Sequence, residues 1–449
     1  MPAPRPAIDK SPSGKNMPDR PSLEYDYRPT DYLDFGEPSN RRDMEAALAR
    51  VEAQLGIEYP MWIGGEEVRE GAPFDSLNPN DPSQVVGRFQ SATRETAARS
   101  VDAAWEAFPA WAARPAHERA DVFFRAAGLM LERRLELAAW MILEVGKTWP
   151  EADGDVAEAI DFLNYYAHEM LRYDRGMPVV DTPPDENRTV YIPLGVGAVI
   201  PPWNFPLAIL AGMSSAPLVA GNTICLKPAG ESATIGYQFV RLMHEAGLPT
   251  ETLNFLTGAG SVVGNALVVH PRTRFISFTG SKEVGLQINE LAARTAPGQR
   301  WIKRVVAEMG GKDAMVIDRD VDLEAAAEAV RAAAFGFQGQ KCSACSRAIV
   351  HADVYDEFLE KLVDRTRAMR LGPARDPETQ MGAVVNASQY EKVREYIEIG
   401  KVEGRLVTGG ETPGEGGYLV PPTIIADVRP GARIEQEEIF GPVLAVLRA

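Results

Sequence analysis

Val196-Gly197-Ala198-Val199-Ile200-Pro201-Pro202-Trp203-Asn204-Phe205-Pro206 and, after an apolar interval, Thr223-Ile224-Cys225-Leu226-Lys227-Pro228 decide how this chain folds. From Thr189 to Leu226 there is no charged side chain, a length that would cross a bilayer as one helix. Pro193, Pro201, Pro202, Pro206 and Pro217, with Gly195, Gly197, Gly212 and Gly221, break such a helix repeatedly. The spacing predicts instead a buried strand over 196–200, a tight loop over 201–206, a helix to about Ala220 and a second buried strand over 223–226, which is a βαβ unit. The alternation continues with a helix from Ser232 to Glu245, a strand at Leu253–Phe255, a helix from Val262, a strand at Phe275–Phe278 and a helix after Gly280. An α/β fold with an open, mostly parallel, doubly wound sheet of Rossmann type follows.

Ligands of such sheets bind beyond the carboxyl ends of the strands, here the loops at Trp203-Asn204, Lys227-Pro228 and Thr279-Gly280-Ser281. Gly280 to Gly285 opens a helix whose first N–H groups can hold a pyrophosphate, and Lys227 can reach a ribose or a phosphate. Gly258-Ala-Gly260-Ser-Val-Val-Gly264 is close to a dinucleotide fingerprint, but its third glycine comes one residue late.

Upstream, prolines at 2, 4, 6, 12, 18, 21 and 29 predict an irregular arm to about Tyr32. Apolar spacing then predicts helices over 41–55, 95–111, 119–145 and 151–173, with a hairpin turn at Met61–Glu66 and a loop at Ser76–Pro79. Past Trp301 a second α/β layer starts at Val305–Ile317, continues through Val350 and a helix over 354–369, and includes a strand at Ile424-Ile425.

The chemistry centres on Phe335-Gly-Phe-Gln-Gly-Gln-Lys-Cys342-Ser-Ala-Cys345-Ser-Arg347. A cysteine is a nucleophile as thiolate, a state that backbone N–H groups and cations such as Lys341 and Arg347 would favour. A redox pair or a zinc site remains an alternative for Cys342 and Cys345, although Cys225 and His351 are the only further candidate ligands close to hand. Glu308, after an apolar run and before Gly310-Gly311, reads as a carboxylate in a dry site suited to general-base work. No G-x-S-x-G elbow surrounds Ser214 and no H-E-x-x-H exists, which counts against hydrolases of those kinds.

Totals narrow the partners. With 47 basic and 63 acidic residues in 449, the formal charge of −16 repels nucleic acid and anionic membranes. Three cysteines make no disulfide framework, and no secretory signal opens the chain, so a reducing cytoplasm is expected.

Taken together, Pro202-Trp-Asn-Phe-Pro206, Lys227-Pro228, Phe278-Thr-Gly-Ser281, Glu308-Met-Gly-Gly311, Gly339-Gln-Lys-Cys342 and Glu437-Glu-Ile-Phe-Gly-Pro442 resemble the motifs of the NAD(P)-dependent aldehyde dehydrogenases, in their order, from Tyr59 to Ala449. Gln338–Arg347, Asp155–Phe162 and Tyr396–Gly400 are similar to the L-glutamate 5-semialdehyde (1-pyrroline-5-carboxylate) dehydrogenase branch. The resemblance implies a nucleophile Cys342, a general base Glu308 and an oxyanion donor Asn204. It implies cofactor contacts from Ile200, Pro202, Trp203, Lys227, Gly280, Ser281, Gly285, Gly310, Glu438 and Phe440. Glu158, Phe205, Lys341 and Ser343 would line the aldehyde pocket, and no metal is implied.

It further implies an arm and helix over 1–58, an NAD(P)-binding domain over 59–303 with an oligomerisation hairpin near 174–192, a catalytic domain over 304–449, and a homo-oligomer. NAD is the expected cofactor, with NADP admitted because Gly230, followed by Glu231, stands where many members have an acid. Members of the family continue beyond the counterpart of Ala449, so the expectation is an incomplete catalytic domain whose apolar strand Val443–Leu447 is left uncovered. A broader aldehyde dehydrogenase, a thiol redox protein and an inactive fragment are the competing readings.

Overall fold

The structure, a computed structural model, describes residues 28–411 and 417–449. Most of the expected N-terminal arm, residues 1–27, lies outside the described residues. Its described end lies along the helix Trp149–Tyr173, where Thr30 N–H and Oγ1 donate to Asp161 and Leu33 N–H donates to Asp153 at 2.8 Å.

A seven-stranded sheet runs in the order Arg304–Glu308, Thr273–Thr279, Val196–Ile200, Thr223–Leu226, Leu253–Phe255, Met61–Ile63 and Glu66–Val68. Its first five strands are parallel and its last two pairings antiparallel. Residues alternate between two cores, as a period of two requires. Val196, Ala198, Ile200 and Cys225 pack under the helices Arg94–Ala112 and Lys282–Ala293, while Val199, Ile224 and Leu226 pack against the helices Ala116–Glu132 to Trp149–Tyr173. Each large aliphatic side chain so buried contributes about 1.5–3 kcal/mol. The Met61–Ile63 hairpin turns through Gly64 and Gly65 at φ 62° and 87°, a left-handed pair that glycine adopts without steric cost.

A five-stranded sheet follows in the order Ala314–Ile317, Arg347–Val350, Val443–Arg448, Thr423–Ala426 and Arg405–Thr408, parallel except for its last pairing. A smaller three-stranded sheet holds Ile57–Glu58, Ala72–Asn78 and Asp81–Ser91.

Five expectations change. Val305–Ile317 divides between the two large sheets, so the boundary between them falls after Glu308 rather than at residue 303. Val443–Leu447 is covered on both edges in mid-sheet, because Arg347–Val350 and Thr423–Ala426 pair with it. Residues 119–145 form two helices, Ala116–Glu132 and Arg134–Val145, since the chain turns at Arg133 where Arg134 is drawn into a buried pair with Asp153. Ser76–Asn78 ends a strand instead of forming a loop. The run near 174–192 has no strand ladder, only one antiparallel bridge between Thr182 and Asp185.

One buried carboxylate fixes the loop that follows Leu226. Glu144 accepts from Ser76 Oγ and Thr234 N–H at 2.7 Å and from Ile235 N–H at 2.9 Å, capping the helix Ala233–Glu245 from outside. Burial pushes this carboxyl up to about 7.

Candidate active site

Three neighbouring strands, Val196–Ile200, Thr273–Thr279 and Arg304–Glu308, end at one edge of the large sheet, and their loops meet residues of the second sheet's lobe in a single cleft. Its walls are Pro202, Trp203, Asn204, Thr279, Gly280, Ser281, Met309, Gly310, Cys342, Gln389, Lys392, Glu438 and Phe440. Trp203 meets Phe440 edge to face at 5.5 Å, closing the cleft between the lobes.

The approach to Cys342 is strained. Phe337, Gln338 and Gly339 are consecutive left-handed residues at φ 46°, 57° and 67°. Such a conformation costs a non-glycine residue about 1–3 kcal/mol and persists only when its surroundings enforce it. Gln338 Nε2 donates to Gly146 O and Ala383 O at 3.1 and 2.9 Å, and Gln340 Oε1 accepts from Val385 N–H at 3.0 Å. A Cβ on Gly339 would lie 2.5 Å from Gly441 O, so the turn requires glycine there. The buried Asn204 amide donates to Gln340 O at 3.0 Å, which sets its orientation two residues before Cys342.

The electrostatics differ from the expectation. Lys341 pairs with Glu151 at 3.5 Å and Arg347 with Glu435 at 2.6 Å, so both cations are engaged elsewhere. Burial pushes the Cys342 thiol up from its ordinary value, opposed by the N–H groups of Ser343 and Cys342 and reinforced by Glu308 and Glu438. The thiol therefore needs a base. Glu308, at the end of its strand, is exposed rather than dry, which leaves water access beside it.

Cys345 is a different kind of residue. It is 3% exposed, packs with Ile317, Phe335 and Leu444, and its Sγ donates to Arg347 O at 3.3 Å. Both cysteines are free thiols, as is the buried Cys225.

The cofactor-side residues form a cradle. Ser281 caps the helix Lys282–Ala293 by accepting from Val284 N–H, and the helix N-terminus opens beside Gly280. Glu438 accepts from Gly311 N–H at 3.2 Å, and burial pushes its carboxyl up. Lys227 donates to Pro228 O at 2.8 Å, and burial pushes it down to about 8 against the opposing charge of Glu231. Gly264, last of the near-fingerprint glycines, has its Cβ direction 3.8 Å from Ile200 and 3.9 Å from Lys227. Gly285 packs so closely on Met309 that a Cβ would lie 2.6 Å from its sulfur. These residues have the chemistry that would suit a dinucleotide: a helix N-terminus for a pyrophosphate, and a lysine and a carboxylate for ribose hydroxyls.

A Cβ on Gly310 would fall 2.1 Å from both carboxylate oxygens of Glu438. Gly310→Ala is therefore expected to displace that carboxylate, lowering NAD affinity about tenfold with a thermal midpoint within a few degrees of wild type. A fluorescence titration with NAD alongside a melting curve checks this, and unchanged affinity would remove Glu438 from the cofactor contacts.

Glu158, Phe205, Lys341 and Ser343 do not line this cleft. Phe205 turns away onto Lys147, Lys341 onto Glu151, while Ser343 and Glu158 are exposed. Although Glu158 reaches solvent, the protein packed around it pushes its carboxyl up, with Asp155 adding and Lys147 opposing. Sequence reasoning missed Gln389 and Lys392, which share a face of the helix Ala387–Glu403 with no local motif to mark them. It also missed Lys147, whose one signal is a charge set between apolar Val145 and Trp149.

Comparison with known proteins agrees with this geometry. The aldehyde dehydrogenase family matches residues 65–449. A 1-pyrroline-5-carboxylate dehydrogenase of Geobacillus thermodenitrificans (strain NG80-2) is 52% identical over 423 residues, 94% of this chain and 82% of the relative. One from Bacillus cereus (strain ATCC 10987 / NRS 248) is 48% identical over the same shares. The solved 1-pyrroline-5-carboxylate dehydrogenase from Thermus with bound NAD superposes with a TM-score of 0.92 at 48% identity, covering 94% of this chain and 82% of that one. Proline utilization A from Bdellovibrio bacteriovorus gives a TM-score of 0.93 at 43% identity, covering 96% of this chain and 45% of its own. The chain belongs to the aldehyde dehydrogenase family.

Proposed function

We propose that this protein oxidises L-glutamate 5-semialdehyde, the open form of 1-pyrroline-5-carboxylate, to L-glutamate with NAD, a step of proline catabolism. The observation that carries the reading is about half identity over 94% of the chain to dehydrogenases of that name. The cleft supports it by holding one accessible thiol, one oriented amide and a dinucleotide cradle together.

Cys342 loses its proton to water or to Glu308 and its sulfur bonds to the aldehyde carbon. The resulting oxyanion is held by the Asn204 amide and the Cys342 N–H, preorganised donors aimed where charge develops. NAD, when bound, supplies the hydride acceptor that turns the adduct into a thioester. Glu308 then takes a proton from water, the hydroxide displaces sulfur, and the carboxylate leaves. The balance is aldehyde, NAD and water giving carboxylate, NADH and two protons. From the family resemblance alone we assign Glu158, Phe205, Lys341 and Ser343 to the aldehyde pocket, although none of them lines the cleft walled by Trp203 and Phe440.

NADP use rests on Gly230, which offers no carboxylate against a 2′-phosphate, while Glu231 accepts from Asn386 Nδ2 at 2.8 Å and is engaged. A cytoplasmic homo-oligomer is the setting we propose, supported by three free cysteines and by exposed Val180, Val190 and Ile192. No helix among the described residues is long and apolar enough to cross a membrane.

NADH formation with glutamate semialdehyde against a panel of simple aldehydes tests the reading. Selective turnover supports it, an even response points to a broad aldehyde dehydrogenase, and silence from a folded protein overturns it. A pH dependence follows from Lys227. The free protein loses this positive charge as pH rises through about 8, so NAD affinity is expected to fall there, by up to about tenfold per unit. Titrations between pH 6.5 and 9.5 read this out, and Lys227→Met should flatten the profile; a wild-type affinity constant across that range would contradict it.

A further inference from the structure

The corner between the helices Arg134–Val145 and Trp149–Tyr173 reaches the catalytic residues from behind. Lys147 and Asp155 form an ion pair there at 3.2 Å, with side chains 1% and 0% exposed. The Lys147 ammonium lies 4.2 Å from the centroid of the Phe205 ring and 4.2 Å from that of Phe337. Phe205 directly follows Asn204, and Phe337 is the first of the three left-handed residues before Gln340-Lys341-Cys342. The same corner holds both segments a second time: Asp155 accepts from Ala208 N–H at 2.6 Å, and Gly146 O accepts from Gln338 Nε2.

Two aromatic faces attract one cation, and with water excluded the attraction is stronger than at a surface. A buried ion pair is seldom the most stabilising filling for a core, because apolar residues of similar size often do as well. Its value here lies in geometry. Each ring belongs to the chain that carries one of the two oxyanion donors, and a single ammonium fixes both rings.

We propose that Lys147 is a positioning residue for aldehyde oxidation, clamping Phe205 and Phe337 so that the Asn204 amide and the Cys342 N–H are held at the separation the oxyanion needs. The proposal rests on the reading of Asn204 and Cys342 given above.

The test is a double-mutant cycle on the full chain. Lys147→Met combined with Asp155→Asn removes the cation without leaving a buried carboxylate alone. At saturating semialdehyde, kcat is expected to fall about 10- to 100-fold, as for a misplaced but present donor, with KM for NAD within about twofold of wild type. In an Asn204→Ala background the same pair of changes should cost less than about threefold more, because one of the two donors whose separation it sets is already gone. Phe205→Leu, which keeps the ion pair and removes one ring, enters the same cycle and decides the matter should the neutral pair fail to fold. Losses that multiply in full in the Asn204→Ala background would overturn the proposal, as would wild-type kcat in the neutral pair beside an impaired Asn204→Ala. A fully active Asn204→Ala would instead overturn the mechanistic reading beneath it, and the proposal with it.

Discussion

Cys342→Ala is expected to abolish aldehyde oxidation, by on the order of 10⁴-fold or more, together with hydrolysis of activated esters, whereas Cys345→Ala keeps most of both. The difference is one of place. Cys342 lines the cleft two residues after the carbonyl that orients Asn204, while Cys345 is packed among core residues of the five-stranded sheet with its thiol bonded to Arg347 O. Cys345→Ala removes one buried sulfur, a loss of about 1–2 kcal/mol in stability and none in chemistry. Steady-state rates with semialdehyde and with p-nitrophenyl acetate, measured beside thermal melts, check both. Equal loss from the two substitutions would overturn the assignment of the nucleophile.

Glu308→Gln is expected to slow steady turnover by about 10²- to 10⁴-fold while the first turnover survives better, because thioester hydrolysis needs the base and thiol attack needs it less. A burst of NADH followed by slow release is the trace to look for in a stopped-flow instrument. The Glu308 charge also helps keep the Cys342 thiol up, so the substitution should speed alkylation of Cys342 by iodoacetamide at fixed pH. Slower alkylation, with a first turnover as impaired as the steady state, would show that Glu308 also activates the thiol.

How far these features could be read from residues alone depended on where their causes lie. Val196–Ile200, Thr223–Leu226 and Leu253–Phe255 stand where the pattern predicts them. Those strands are covered on both faces, and prolines and glycines mark their ends, so the signal is local. The break at Arg133 carries no glycine or proline; it follows from Asp153 on the next helix. The charges beside Cys342 were misread for the same reason. Lys341 and Arg347 look free in sequence, but their partners Glu151 and Glu435 are distant along the chain. The exposure of Glu308 depends on what packs over its strand, which an apolar run cannot reveal. Lys147 was missed because a lone lysine in an apolar stretch acquires meaning only when Phe205 and Phe337 arrive from elsewhere.

The order of the five-stranded sheet bears on how the protein is made. Val443–Arg448, the latest of its strands in sequence, lies between Arg347–Val350 and Thr423–Ala426, and those two do not pair with each other. On a ribosome the earlier strands can therefore gather only as two separate pairs, and they join when this last strand slides between them. The pairing is remote in sequence, as with Val350 and Arg448, and such closures are slow. Glu438 and Phe440 come out immediately before that strand, so the far wall of the cleft and the closure of the sheet arrive in one event. A nascent chain stalled before residue 437, or a protein cut between 437 and 442, would keep the strained cysteine turn and the helix-end cradle but not the surface opposite them. Competence to turn over substrate thus waits on the one strand that joins the two pairs rather than accumulating strand by strand, so a chain that has not yet placed it lacks the far wall of the cleft.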